Sequence, residues 1–316
     1  MALRVQPNVG VWDDDPAMPT PRRVAAAVAG AGALGLGYSL AEARAHRLRR
    51  LTVAALPPEQ GSLRLLHLSD LHLTPWDQHR VRWLKSLAEL RPDLVVVTGD
   101  FLAHRDSVPV VIEALGGLLD IPGAFVFGSN DYYAPALKNP ARYLLPDKGK
   151  RTHGRQLPWP ELESQLSSAG WHNLTHRRVR IQVGPITVSL RGVDDPHLGR
   201  DDYSRVAGPA DPEALSIGVT HAPYARVLTA MAEDGLQLIL AGHTHGGQLC
   251  VPGWGALVTN CDLPPRHARG LSRVGHAVLH VSAGVGTSPF TPVRFACPPE
   301  ASLLTLGPRT GLNRPN

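Results

Sequence analysis

The sequence predicts an α/β layered fold, on three observations. Short apolar segments alternate with helical stretches from Leu63 onward. Those segments are continuous hydrophobic runs, the pattern of strands covered on both faces. A residue able to bind metal stands at the carboxyl end of strand after strand.

Arg64–Ser69 reads as a strand and delivers Asp70-Leu71-His72, and Leu94–Thr98 delivers Gly99-Asp100. Ala124–Phe127 delivers Gly128-Ser129-Asn130-Asp131, Ser216–Thr220 delivers His221, and Gln237–Ala241 delivers Gly242-His243-Thr244-His245-Gly246-Gly247. Between them lie helical stretches at Gln78–Leu90, Val108–Leu119 and Pro223–Asp234. The first of these sets Val81, Leu84, Leu87 and Ala88 on one face and is closed by Arg91-Pro92. Strands at Ile186–Val193 and Val278–Ser282 extend or double the sheet. In such sheets ligands gather beyond the carboxyl ends of the strands, so the five segments are expected to meet in space.

Spacing supports that expectation. Residues i and i+2 of an extended segment point the same way, so Asp70 with His72, and His243 with His245, are each expected to grip one ion. Gly99 and Gly242 leave room for close backbone approach. Each piece alone is weak, because Gly-Asp is usually a turn and a lone His after a strand usually a loop residue. Five in this order, each ending a strand, are hard to explain as turns and core histidines. Carboxylate, amide and imidazole ligands without thiolate suit Mn, Fe or Zn.

Bulk composition excludes several classes. Hydrophobic residues make up 43% and charged residues 19% of 316, which is globular rather than disordered. The net charge of +5 is mild, and no Lys/Arg run with interleaved aromatics points to nucleic acid. Cys250, Cys261 and Cys297 include no CxxC pair and give neither a disulfide framework nor a thiolate zinc site. Fifteen histidines, by contrast, are many.

The amino terminus reads separately. Residues 1–23 are rich in Pro and Asp and read as a disordered tail. Residues 24–50 read as a hydrophobic helix with a basic flank, and residues 51–316 as the catalytic domain. The uncharged run Val24–Ala41 leaves three readings open: a membrane anchor, an export signal with Arg22-Arg23 ahead of it, or an Ala-rich helix packed on the domain. Arg44, Arg47, Arg49 and Arg50 behind the run place the following domain on the cytoplasmic side by the positive-inside rule. The expectation is therefore a membrane-associated chain facing the cytoplasm, with an exported form as the alternative.

Asp-x-His, Gly-Asp, a Gly/Asn element, a lone His and Gly-His-x-His, in that order, resemble the calcineurin-like metallophosphoesterases over about Leu63 to Leu306. The Gly-His-Thr-His-Gly-Gly-Gln form is the most specific piece. The chain looks most like the bacterial branch with an N-terminal membrane or signal segment, and its actinobacterial members. The resemblance implies a four-layer αββα sandwich of two mixed β-sheets flanked by helices, with two divalent metal ions. It implies that Asp70, His72, Asp100 and His245 hold the first ion, and that Asp100, Asn130, His221 and His243 hold the second. The reaction implied is hydrolysis of a phosphodiester, phosphomonoester or pyrophosphate bond by a metal-bridging hydroxide, on a phosphate-ester substrate that is lipid-linked or a nucleotide sugar. A metal-binding scaffold that has lost catalysis and a nuclease-like phosphodiesterase are the alternatives.

One departure stands out. The family usually carries Gly-Asn-His-Asp or Gly-Asn-His-Glu at the third element, where His assists the leaving group; here it reads Gly-Ser-Asn-Asp. Aligned on the glycine, Ser129 takes the metal-binding position. Shifted by one, the preferred register, Asn130 keeps that position and Asp131 takes the place of the catalytic acid. His104 is a further imidazole that a loop could supply, against its plainer reading as a surface residue. Gly192–His197 reads as a polar turn that could line the site mouth, and Lys138–Gly154 as a basic insertion. Trp159, Trp171 and Trp254 read as packing residues.

Overall fold

The computed structural model describes residues 21–57, 61–136 and 154–308. Two six-stranded mixed sheets carry the fold. The first joins β1 (Arg47–Leu56), β2 (Leu63–Leu68), β3 (Leu94–Val97), β4 (Gly123–Phe125), β5 (His172–Asn173) and β14 (Glu300–Pro308) in the order β1-β14-β2-β3-β4-β5. Only the β14–β2 pair in it is antiparallel. The second joins β6 (Arg177–Val183), β7 (Ile186–Gly192), β8 (Leu215–Val219), β9 (Leu238–Ala241), β12 (Gly270–Val274) and β13 (Ala277–Val281) in the order β12-β13-β9-β8-β7-β6. A separate hairpin pairs β10 (Cys250–Val251) with β11 (Gly255–Ala256).

The continuous apolar runs follow from burial on both faces. Along β2 and β3, Leu63, Leu65, Leu94 and Val96 point inward and meet Ile217, Leu238 and Leu240 of the second sheet. Their alternates Leu66, Leu68, Val95 and Val97 point outward beneath α2 (Gln78–Ser86), α3 (Val108–Leu115) and α5 (Trp159–Ser168). On the second sheet Ile239, Ala241, Leu279 and Val281 pack with Val227, Leu228 and Met231 of α6 (Ala225–Glu233). Helix, sheet, sheet, helix is thus the layer order, as expected. Each helix is shorter than its apolar pattern: α2 passes into a 3₁₀ turn at Leu87–Leu90, and α3 gives way at Gly116. Trp171 is buried, but Trp254 is 83% exposed near the β10–β11 turn, so it is not the packing residue expected.

The chain divides into two units, residues 1–38 and 39–316. The apolar run at 24–41 lies in α1 (Pro21–Glu42). Among the described residues no helix is long and apolar enough to cross a membrane. The boundary expected at residue 51 falls inside β1, where Arg47, Arg49 and Arg50 pair with β14. Residues 1–20 of the expected tail, and residues 138–153 of the basic insertion, lie outside the described residues.

A polar contact interrupts the apolar seam between the sheets. His67 of β2 and His280 of β13 are fully buried, with their Nδ1 atoms 2.8 Å apart. Burial holds both rings neutral: His67 lies well below the ordinary imidazole range, and His280 is pushed down to about 3. A histidine whose folded pKa is depressed lets the unfolded chain take the proton first. Its stabilising contribution is full above about pH 6.5 and is lost as pH falls toward the folded value. For His280 the loss between pH 7 and pH 5 is about 2 kcal/mol. Urea unfolding with a chelator present is expected to show a lower midpoint at pH 5 than at pH 7, and His280→Asn a flatter dependence.

Candidate metal centre

The candidate ligand residues sit two to four positions beyond the ends of β2, β3, β8 and β9, where the backbone turns sharply. Asp70, His72, Asp100, His243 and His245 have φ of 51°, 43°, 56°, 68° and 49°. They are half of the ten non-glycine residues with positive φ among the described residues, so backbone strain is concentrated at this one place. Asp70 and His72 therefore do not converge as i and i+2 of an extended strand. Left-handed turns aim them, held by Asp70 N–H on the Gly99 carbonyl and His72 N–H on the Asp100 carbonyl, both at 2.9 Å.

Two glycines make the crossing of segments feasible. A Cβ on Gly242 would lie 1.8 Å from Ser69 Oγ and 2.7 Å from Asp70 Oδ2. Gly284, at φ +74°, would place a Cβ 2.7 Å from that of Asp70. Gly284 belongs to the glycine-rich 282–287 stretch, whose sequence shows no P-loop form; its function is to admit Asp70.

The side chains converge as the strand-end pattern implies. His72 Nε2 lies 3.2 Å from His245 Nε2 and 3.5 Å from Asp100 Oδ2. His245 Nε2 is 3.5 Å from Asp70 Oδ1, His221 Nε2 3.6 Å from Asp100 Oδ1, and His243 Nδ1 3.3 Å from His221 Nε2. Two groups of ligand atoms, Asp70/His72/His245 and Asp70/Asp100/His221, each lie within 4.8 Å of one another. Asp70 is common to both, while Asp100 reaches a histidine of each.

Carbonyl oxygens select the tautomers. His221 Nδ1 is 2.7 Å from the Thr98 oxygen, His243 Nε2 3.3 Å from that of Asn260, and His245 Nδ1 3.2 Å from that of Gly286. A carbonyl only accepts, so each of these nitrogens carries a proton and the opposite nitrogen faces the cluster. Burial keeps His72 and His243 well below the ordinary imidazole range and brings His245 down to about 3. His221 differs: burial lowers it, but Asp100, Asp195 and Asp70 outweigh burial and raise it to about 9. Burial raises both Asp70 and Asp100.

This donor set fits divalent cations. Asp70 Oδ1 is buried with no hydrogen-bond partner, and the Nε2 atoms of His72 and His245 face one another across about the width of one ion. The neutral state of His72, His243 and His245 is the one metal binding requires, and an ion would displace the second proton that the carboxylates hold on His221.

The third element forms one turn, α4 (Ser129–Tyr132). Asn130 meets Asp100 twice, donating its backbone N–H to Oδ1 at 2.8 Å and its amide N–H to Oδ2 at 2.7 Å. Asp131 is not placed as an acid. Its Oδ2 accepts N–H from Asp100 and Gly128, both at 2.8 Å, and its Oδ1 accepts from Phe101 at 2.7 Å and Leu102 at 3.2 Å. Burial and the Asp100 charge push it up to about 8. A proton on either oxygen would still lie among four N–H groups rather than face a substrate. Its geometry is that of a brace clamping the Asp100 loop onto α4.

His104 contacts Asp106 and Trp76 of neighbouring loops. The Gly192–His197 turn does reach the site: His197 packs on His243 at 4.2 Å between ring centroids, and Tyr132 Oη donates to Asp194 at 2.7 Å. Arg294 has no counterpart in the sequence pattern. Fully buried, it donates from Nη2 to the carbonyls of Ala283, Gly284 and Gly286 and from Nη1 to that of His245. It thereby holds the Gly286 oxygen that fixes the His245 tautomer. Its only signal was an arginine among small residues, which no rule distinguishes from a surface one.

Comparison with known proteins agrees with the geometry. The family model described as calcineurin-like phosphoesterase matches residues 63–247. The uncharacterized metallophosphoesterase YkuE of Bacillus subtilis is 27% identical over 302 residues, covering 89% of this chain and 93% of that protein. A zebrafish (Danio rerio) transmembrane protein with metallophosphoesterase domain is 28% identical over 269 residues, 81% of this chain and 56% of its own length. Phosphodiesterase YaeI of Escherichia coli is 25% identical over 278 residues, 86% and 93% of the two chains. With the matched segment spanning every ligand from Asp70 to His245, the chain belongs to the calcineurin-like phosphoesterases and is a metal-dependent phosphoric ester hydrolase.

Proposed function

We propose that this hydrolase acts on phosphodiester or pyrophosphate bonds whose leaving group departs without a proton from the enzyme. The observation that carries this reading is the clamped Asp131, both of whose oxygens accept backbone N–H groups. In this proposal Asp70, His72, Asp100 and His245 hold one ion, and Asp100, Asn130, His221 and His243 the other. The Asn130 contacts with Asp100 support the shifted register over Ser129. When bound, two divalent ions supply positive charge to the phosphoryl oxygens and a water nucleophile deprotonated at neutral pH. The protein's part is to keep three imidazoles neutral, fix the proton of His221 on the Thr98 carbonyl, and hold the Asp100 loop still through Asp131.

Membrane association through residues 24–41 belongs to the same proposal. Val28, Leu34, Leu36 and Leu40 of α1 are exposed, and one relative is named a transmembrane protein. This placement suits a lipid-linked phosphate ester. The scaffold alternative is disfavoured by the convergence of candidate ligand atoms into two groups, and a nuclease role by the mild charge.

Two measurements test the proposal. Full-length protein stripped of metal and reloaded with Mn is expected to hydrolyse bis-p-nitrophenyl phosphate faster than p-nitrophenyl phosphate, with Asp100→Asn at least about a hundredfold slower. A folded protein that binds two ions and turns over neither compound would sink the enzymatic reading. Asp131→Asn is expected to cost about 1–3 kcal/mol in urea unfolding, because buried N–H groups lose their acceptor. It is expected to lower kcat/KM by the same factor across aryl diesters of differing leaving-group pKa. A loss that grows with leaving-group pKa would make Asp131 the acid after all.

A further inference from the structure

Behind Asp70 a file of buried polar groups runs into the seam between the sheets. Ser69 Oγ donates to Asp70 Oδ2 at 2.6 Å, and Thr98 Oγ1 donates to Ser69 Oγ at 2.7 Å. His67 Nε2 lies 3.0 Å from Thr98 Oγ1, and His67 Nδ1 lies 2.8 Å from His280 Nδ1. All five residues are fully buried.

Counting hydrogens leaves one direction for the whole file. An ionised carboxylate cannot donate, so the hydrogen between Ser69 and Asp70 belongs to Ser69, whose hydroxyl has no other. Thr98 must therefore give its single hydrogen to Ser69; the Leu68 carbonyl, at 3.5 Å, is the more distant acceptor. His67 Nε2 must then carry a proton and donate to Thr98. A neutral His67 has a bare Nδ1, so His280 Nδ1 carries the next proton, and His280 Nε2 is left as a lone pair. That atom is buried with no hydrogen-bond partner, and the opposite direction would strand an N–H donor there. At the other end, Ser69 and the His243 N–H at 3.0 Å together occupy Asp70 Oδ2, leaving Oδ1 bare toward His245.

We propose that His280, His67, Thr98 and Ser69 form a one-way hydrogen-bond relay that reserves Asp70 Oδ2 as an acceptor and presents Oδ1 to the metal, which makes them positioning residues for the first ion. The relay begins in the second sheet and ends at a ligand carried by the first, so the alignment of the two sheets is transmitted to the metal-binding atom. It rests on Asp70 being a ligand, and the test separates the two ideas.

The test is the Mn dissociation constant of the full-length protein, measured by competition with a chelating dye. Asp70→Asn reports on the ligand assignment; an unchanged affinity in that variant would refute it. Ser69→Ala is expected to weaken binding about tenfold. Thr98→Val, which keeps shape, and His67→Leu are expected to weaken it in the same direction by smaller factors. Thr98→Ser, which keeps the hydroxyl, is expected to restore it. In the Ser69→Ala background, Thr98→Val is expected to add less than about a twofold change, because the file is already cut. Thr98→Val carries the experiment should His67→Leu fail to fold. Independent, multiplying losses from Ser69→Ala and Thr98→Val, or full affinity in Thr98→Val, would overturn the relay while leaving the ligand assignment standing.

Discussion

Two carboxylates, Asp70 and Asp100, are buried side by side among four imidazoles, and the rest of the site follows from keeping them there. Ionised carboxylates in so dry a place are costly unless opposite charge is supplied. The protein provides only part of it. Arg294 is buried beside His245, where its Nη1 and Nη2 groups are spent on carbonyl oxygens. His221 is the one imidazole that its carboxylate neighbours hold toward the charged form. The remaining imidazoles are neutral by burial and aim ring nitrogens at the same space. A divalent cation would answer both the charge imbalance and the convergence of these donors.

The surroundings serve that arrangement at increasing distance. Closest are the carbonyls of Thr98, Asn260 and Gly286, which hold a proton on one nitrogen of His221, His243 and His245. Beyond them Asp131 gathers four backbone N–H groups from two segments into one clamp. A carboxylate beside the site is thereby a piece of architecture. The element carries Gly-Ser-Asn-Asp and no histidine, and its aspartate is held by backbone N–H groups.

Most of the site was legible in the sequence because its chemistry is written in residue type. Asp, His and Asn at the ends of apolar runs could be read without knowing the backbone, and the layer order followed from runs buried on both faces. What could not be read was conformation. Nothing in Asp70, His72 or His245 announces a left-handed turn, since φ is imposed there by the neighbouring segments rather than by the side chain. Residues acting through carbonyls were equally silent: Arg294 lies 49 positions after the His245 carbonyl it holds. His67 and His280 each looked like a solitary histidine in a strand, and their meaning lies in a pairing across sheets that no local pattern records. Asp131 shows the same limit, because an aspartate that accepts backbone hydrogens and one that donates a proton are the same letter.

The left-handed turns have a consequence for the life of the metal. Five ligands are aimed by backbone torsion and by hydrogen bonds to neighbouring strands, so the cradle keeps its curvature by its own scaffolding. Ions can enter and leave such a cradle without melting it, unlike those of small domains that fold around their metal. Its oxygen and nitrogen donors discriminate only loosely among first-row divalent ions. Occupancy would then track supply, the divalent ion in excess around the protein being the one the cradle holds.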